Sequence, residues 1–146
     1  NLKIFKNKAI HIDGDVIRNI YSDKLGHSKK ARFINAKRIY NLVKFLHDNN
    51  LTCIVSVLSI FPHMLKKNRK NFKNYFEIFL DVPIKILSKR NKKNVYQLKK
   101  NVVGKDIKFP LPANPDIILN NNFDKKTLKN NLIKIKNQIN EKYKTL

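Results

Sequence analysis

AIHIDGDVIRNIY, residues 9–21, decides how the rest of the chain is read. Its first half, together with residue 8, is a short apolar run that stops at Gly14, the pattern of a buried strand bounded by a turn. Two carboxylates, Asp13 and Asp15, flank that glycine, and Arg18 follows one helical turn later. Acidic residues number only 10 against 32 Lys and Arg in 146 residues, so two of them on one turn need a reason.

Working outward, residues 28 to 48 read as a helix. Ser28 is placed to cap its N-terminus, and Phe33, Ala36, Tyr40, Val43 and Leu46 recur at helical spacing along an apolar face. LTCIVSVL, residues 51–58, is rich in β-branched side chains and lacks polar alternation, as expected of a parallel strand covered on both faces. Pro62 opens a short polar helix to about residue 71. Residues 75–82 form the next strand, and Pro83 starts another helix through Arg90. After an irregular basic stretch come a short strand at 116–119 and a last amphipathic helix from a cap at Asp124 to about residue 143. Its apolar stripe is Leu128, Leu132, Ile135 and Ile139. Strands alternating with helices predict a single α/β domain over residues 1–146, a three-layer sandwich around a parallel sheet. Ligands of such folds bind beyond the carboxyl ends of the strands, where Asp13 to Asp15, Ser59 to Phe61 and Asp81 fall. Gly14, Gly26 and Gly104 lie in three separate loops, each expected to serve a tight turn or a close approach.

Composition narrows the function. No apolar run is long enough to span a bilayer, and no secretory signal pattern opens the chain. The lone Cys53 cannot form an internal disulfide or a zinc site, which suits a reducing cytoplasm. A net charge of +22 invites a nucleic-acid partner, but only 5 of the 32 basic residues are Arg, and they are scattered. Base-reading forks are therefore scarce, and nucleic acid is not expected. His11 reads as a strand residue rather than a metal ligand, since no second histidine stands at ligand spacing.

Around the opening turn, Arg32 and Asn35 lie three apart on one helix face and join Asp13, Asp15 and Arg18 in a mixed-charge set. Arginine forks bind phosphate or sulfate, and adjacent carboxylates organise Mg²⁺ or accept a hydroxyl proton. The competing reading is that the acids cap the following helix and the arginines form surface pairs.

Five blocks taken in order, IDGDVIR, LGHSKKARFINAKRI, LSIF, FEIFLDVPI and NVVGKDIKFPLPANPDIIL, resemble the adenylylsulfate kinase family from about residue 8 to 122. The resemblance implies a P-loop kinase fold, with ATP and Mg²⁺ as cofactors, that phosphorylates the ribose 3′-hydroxyl of adenylylsulfate in sulfate activation. It implies Asp15 as base or hydroxyl-orienting acid and Asp13 near the metal. Arg18, His27, Arg32, Asn35, Leu58, Ser59, Ile60 and Phe61 would hold the acceptor. Arg90, Lys99, Lys100, Val103 and Gly104 would form the lid and ATP side. Nucleotide substrates and a homodimer are the implied partners, with neither nucleic acid nor membrane.

Three departures qualify this. No G-x-x-x-x-G-K-[ST] occurs, so the phosphate-cradling loop and the first, central strand are expected to precede Asn1, and these residues alone are expected to be inactive and poorly folded. His27 stands where the family usually has a stacking aromatic, and Ile60 where it usually has proline, which makes cytidine diphosphoramidate, in capsule modification, the alternative acceptor. The segment 96–102 is shorter than the usual lid, and Asn91 and Asn94 replace an acid and a glycine. A non-catalytic nucleotide- or partner-binding module is the second alternative.

Overall fold

The computed structural model describes residues 9–21, 23–90 and 100–143. They fall into two compact units.

In the first unit, β1 (Ala9–Asp13) runs parallel to β2 (Thr52–Ser56), with Ile12 opposite Val55. Between them lie α1 (Gly14–Ile20) and α2 (Lys29–Asp48), and α3 (Pro62–Asn71) follows β2. α2 begins where expected: Ser28 accepts from the Ala31 N–H at 3.2 Å, satisfying one of the orphan donors of its first turn. Its deepest stripe is Ala31, Asn35 and Ile39, spaced four apart, one row beside the predicted face, whose five residues are half-buried. Ile39 joins Ile12 and Ile17 in one core cluster, with Cys53 and Leu46 packed against it. Ile12 is 3% exposed, and burial of such a side chain contributes about 1.5–3 kcal/mol. A second cluster gathers Ile60, Phe61, Met64 and Val103, with Phe33 meeting Phe61 edge-on at 5.2 Å between ring centres.

The second unit pairs β3 (Ile78–Asp81) with β4 (Ile117–Asn120), again in parallel. It also holds α4 (Ile84–Arg90) and α5 (Lys125–Lys142). Ile117 and Leu119 face inward. Asp116 ties the unit together: its carboxylate accepts from the Glu77 N–H at 2.7 Å and pairs with Lys142. The Tyr143 hydroxyl donates to the Tyr75 carbonyl at 2.9 Å.

The four described strands pair two by two, all in parallel, and β2 and β3 each bond a described neighbour along one edge only. Val55, Val57, Leu58, Ile78 and Leu80 are accordingly exposed instead of covered on both faces. On α5, Leu128 is exposed, while Leu132, Ile135 and Ile139 are half-buried. No helix among the described residues is long and apolar enough to cross a membrane.

Candidate active site

β1 ends at Asp13, whose extended backbone (φ −101°, ψ 131°) makes it the N-cap of α1. One carboxylate oxygen accepts from the Asp15 and Val16 N–H groups at 2.8 and 3.1 Å. The capping role weighed against catalysis is thus real for Asp13. It still leaves the second oxygen for other work. Asp15, one residue into the helix, is exposed. Gly14 between them packs tightly: an added Cβ would lie 3.2 Å from Val57 Cγ1.

α2 supplies the other half. Asn35, 4% exposed, donates from Nδ2 to the Gly14 carbonyl at 3.0 Å, joining α2 to the acid-bearing turn. Its Oδ1 and the Arg18 Nε are buried without a hydrogen-bond partner. Arg32 lies in the field of both Arg18 and Asp15. Burial first, and then repulsion from Arg18, push its pKa below the ordinary arginine value, with Asp15 pulling the other way. The two guanidiniums share this neighbourhood with the carboxylates of Asp13 and Asp15, so any preference for an anion comes from the arginine forks and not from a net positive charge.

Both arginines also brace backbone. Arg18 Nη1 donates to the carbonyls of Leu25 at 3.4 Å and Gly26 at 2.5 Å. Arg32 donates from Nε to the His27 carbonyl at 2.9 Å and from Nη2 to that of Asn101 at 3.1 Å. His27 is exposed on the braced loop.

The remaining expected residues divide. Leu58 is 57% exposed and Ser59 half-buried, but Ile60 and Phe61 are 5% and 8% exposed and pack into the core. Their side chains secure the loop's base, so only its first half offers accessible surface. Val103 belongs to the same core, and Gly104 sits in a closed turn (φ 86°) with its N–H on the Ile107 carbonyl at 2.8 Å. Asp106 Oδ2 accepts from the Val102 N–H at 2.9 Å. Val103 and Gly104 thus belong to a hydrogen-bonded turn packed against the core. Lys100 is exposed, and Lys99 lies outside the described residues. Arg90 ends α4 in the second unit, its guanidinium 3.8 Å from the centre of the Phe123 ring. Gly26 has nothing within 4 Å of an added Cβ and no left-handed backbone, so no protein contact or turn geometry calls for a glycine there.

Sequence reading missed one constellation. Arg38 grips Asp23 with two donors, at 3.2 and 2.5 Å, and lies 4.0 Å over the Tyr21 ring. Fifteen residues separate the ionic partners, and no local spacing rule links them.

Among the described residues no cluster of three or more metal-ligating side chains occurs. That composition fits Mg²⁺, which is commonly held by one or two carboxylates together with substrate phosphates and water.

Parallel strand pairs with helical connections, and acids at a strand's carboxyl end, define an α/β protein with its candidate site beyond the end of β1. The fold is similar to that of the adenylylsulfate kinase of Mycobacterium tuberculosis solved with AMPPNP and APS, with a TM-score of 0.76 at 24% identity, over 92% of this chain and 83% of that one. The adenylylsulphate kinase family model matches residues 1–120. A cytidine diphosphoramidate kinase of Campylobacter jejuni is 36% identical over 82% of this chain and 72% of its own length. An adenylyl-sulfate kinase of Clostridium kluyveri is 29% identical over 77% of this chain and 60% of its own length. The chain belongs to the adenylylsulphate kinase family, whose members are phosphotransferases.

Proposed function

We propose that the protein transfers the γ-phosphoryl group of ATP to a ribose hydroxyl of a small nucleotide acceptor that carries an anionic group. The observation that supports this best is the meeting of Asp15 with Arg18 and Arg32 at the carboxyl end of β1. Asp15 is exposed and stands one turn ahead of Arg18. It accepts or orients the acceptor's hydroxyl proton. The guanidiniums hold the acceptor's anionic end, so that its hydroxyl is presented in line with the phosphoryl group. Asp13, through its second oxygen, would hold Mg²⁺ by way of water. When bound, that ion neutralises charge on the ATP phosphates.

Cytidine diphosphoramidate is the acceptor this reading favours, because the relative named for it is 36% identical, against 29% for the C. kluyveri adenylyl-sulfate kinase. The imidazole of His27, in place of a larger aromatic, suits the same choice. Adenylylsulfate is the second reading, supported by the family model.

The test uses the protein expressed from its complete coding sequence, with labelled ATP and each acceptor in turn. Transfer to the cytidine compound at the higher kcat/KM is expected. Asp15→Asn is expected to lower kcat by about 10²- to 10⁴-fold. The unfolding midpoint of the variant, measured beside wild type, separates lost chemistry from lost folding. Undiminished turnover in that variant would remove Asp15 from the chemistry. ATP binding without transfer to either nucleotide would favour the non-catalytic binding module.

A further inference from the structure

We propose that Arg38 and Asp23, seated on Tyr21, form the anchor that holds the Asp23–His27 loop in position for the acceptor, and that both are positioning residues for acceptor binding. This rests on the phosphotransfer reading above. The loop is fastened by arginines from two helices: Arg18 of α1 takes the Leu25 and Gly26 carbonyls, Arg32 of α2 takes the His27 carbonyl, and Arg38 of α2 takes the Asp23 carboxylate. These fasteners differ in kind. Arg18 and Arg32 are also the two cations in each other's field at the acid-bearing turn, where an acceptor anion would compete with neutral carbonyls for their donors. A guanidinium bonds a charged oxygen about twice as strongly as a neutral one. When the two arginines turn to the anion, the loop loses carbonyl contacts at the moment it must present His27.

Arg38 has no such second duty. Its fork is spent on a carboxylate of the loop itself, and its plane is stacked on a ring at the C-cap of α1. The Arg38 side chain is 19% exposed and that of Asp23 45%, so the pair is only partly screened. The Arg38 hydrogen bond also holds the Asp23 carboxyl below its ordinary value. Lys24, next to Asp23, takes a left-handed backbone (φ 44°), a conformation that persists only where the surroundings enforce it.

The experiment compares the wild-type protein, from its complete coding sequence, with Arg38→Met, Asp23→Asn and the exchange pair Arg38→Asp with Asp23→Arg. Native-state hydrogen exchange, read by mass spectrometry, compares the amides of residues 25–27 with those of residues 40–46 inside α2. Each single variant should speed exchange in the loop by about threefold to tenfold, with the α2 amides unchanged. The exchange pair should recover about half of the difference. In kinetics, the single variants should raise the KM for the acceptor by a similar factor while kcat and the KM for ATP stay put. Equal acceleration in loop and helix, or none in the loop, overturns the anchor. Faster loop exchange with an unchanged acceptor KM overturns its link to the acceptor. A wild-type protein that phosphorylates neither nucleotide defeats the function reading instead, and the exchange rates still decide the anchor.

Discussion

An alanine methyl at residue 14 would sit 3.2 Å from Val57 Cγ1, with Ser56 O and Ile39 Cδ1 at ordinary contact distances. Val57 is exposed and can rotate away, and alanine is the better helix former by about 1 kcal/mol. Gly14→Ala should therefore change stability by less than about 1 kcal/mol. At residue 104 the difficulty is backbone: φ is 86°, where a Cβ crowds the carbonyl, so Gly104→Ala should cost about 1–2 kcal/mol. Gly26→Ala, with open space and no left-handed backbone, should be neutral. Chemical unfolding of the three variants checks this order, and a neutral Gly104→Ala would contradict the turn described here. Sequence could mark each glycine as a loop residue. It could not say which served backbone, which packing and which neither, because that depends on neighbours distant in the chain. The same limit applies at Asp13 and Asp15: their pairing on one turn was legible, but the division between a capping acid and an exposed one needed coordinates.

Elements with their own punctuation were the readable ones. Ser28, Pro62 and Asp124 each announce a helix, and all three helices begin there, because a capping oxygen or a proline acts locally. α1, only 7 residues long, is too short for periodicity to declare it. The cap of α5 carries a pH signature. Asp124 accepts from the Thr127 N–H at 2.6 Å and from its hydroxyl at 2.7 Å, and these bonds, the backbone one first, hold its carboxyl below the usual 3.8. A depressed carboxylate pKa contributes stability above the unfolded-state value, and that contribution is lost as pH falls through the folded-state value. Asp124→Ala should thus lower the unfolding midpoint at pH 6, with the gap to wild type narrowing below about pH 3. A gap that is constant with pH would mean that the carboxylate charge plays no part in the cap.

At the scale of the whole chain, alternating strands and helices announced parallel pairing, and both pairs are parallel. Which strand neighbours which came from the family resemblance and not from the hydrophobic pattern, which reports burial but not the neighbour. Charge is the other whole-chain property: 32 cations against 10 anions repel one another in any compact state. Raising salt from about 20 mM to about 0.3 M shortens the screening length from roughly 20 Å to 6 Å, so the protein from its complete coding sequence should melt at a higher temperature. Screening alone would make chloride and sulfate equivalent at matched ionic strength. An anion site adds a term for sulfate that grows with its concentration over its dissociation constant. Sulfate also stabilises proteins generally by exclusion from their surfaces, so the surplus over chloride carries information only against a control. Arg32→Met supplies one, removing a guanidinium from the neighbourhood of Arg18 and Asp15 while leaving most of the surface charge in place. In scanning calorimetry the chloride response should be the same in both proteins, and the sulfate surplus should be smaller in the variant. An equal surplus in both would mean that the arginines beyond the end of β1 do not gather anions, and the anion response would reduce to general surface charge.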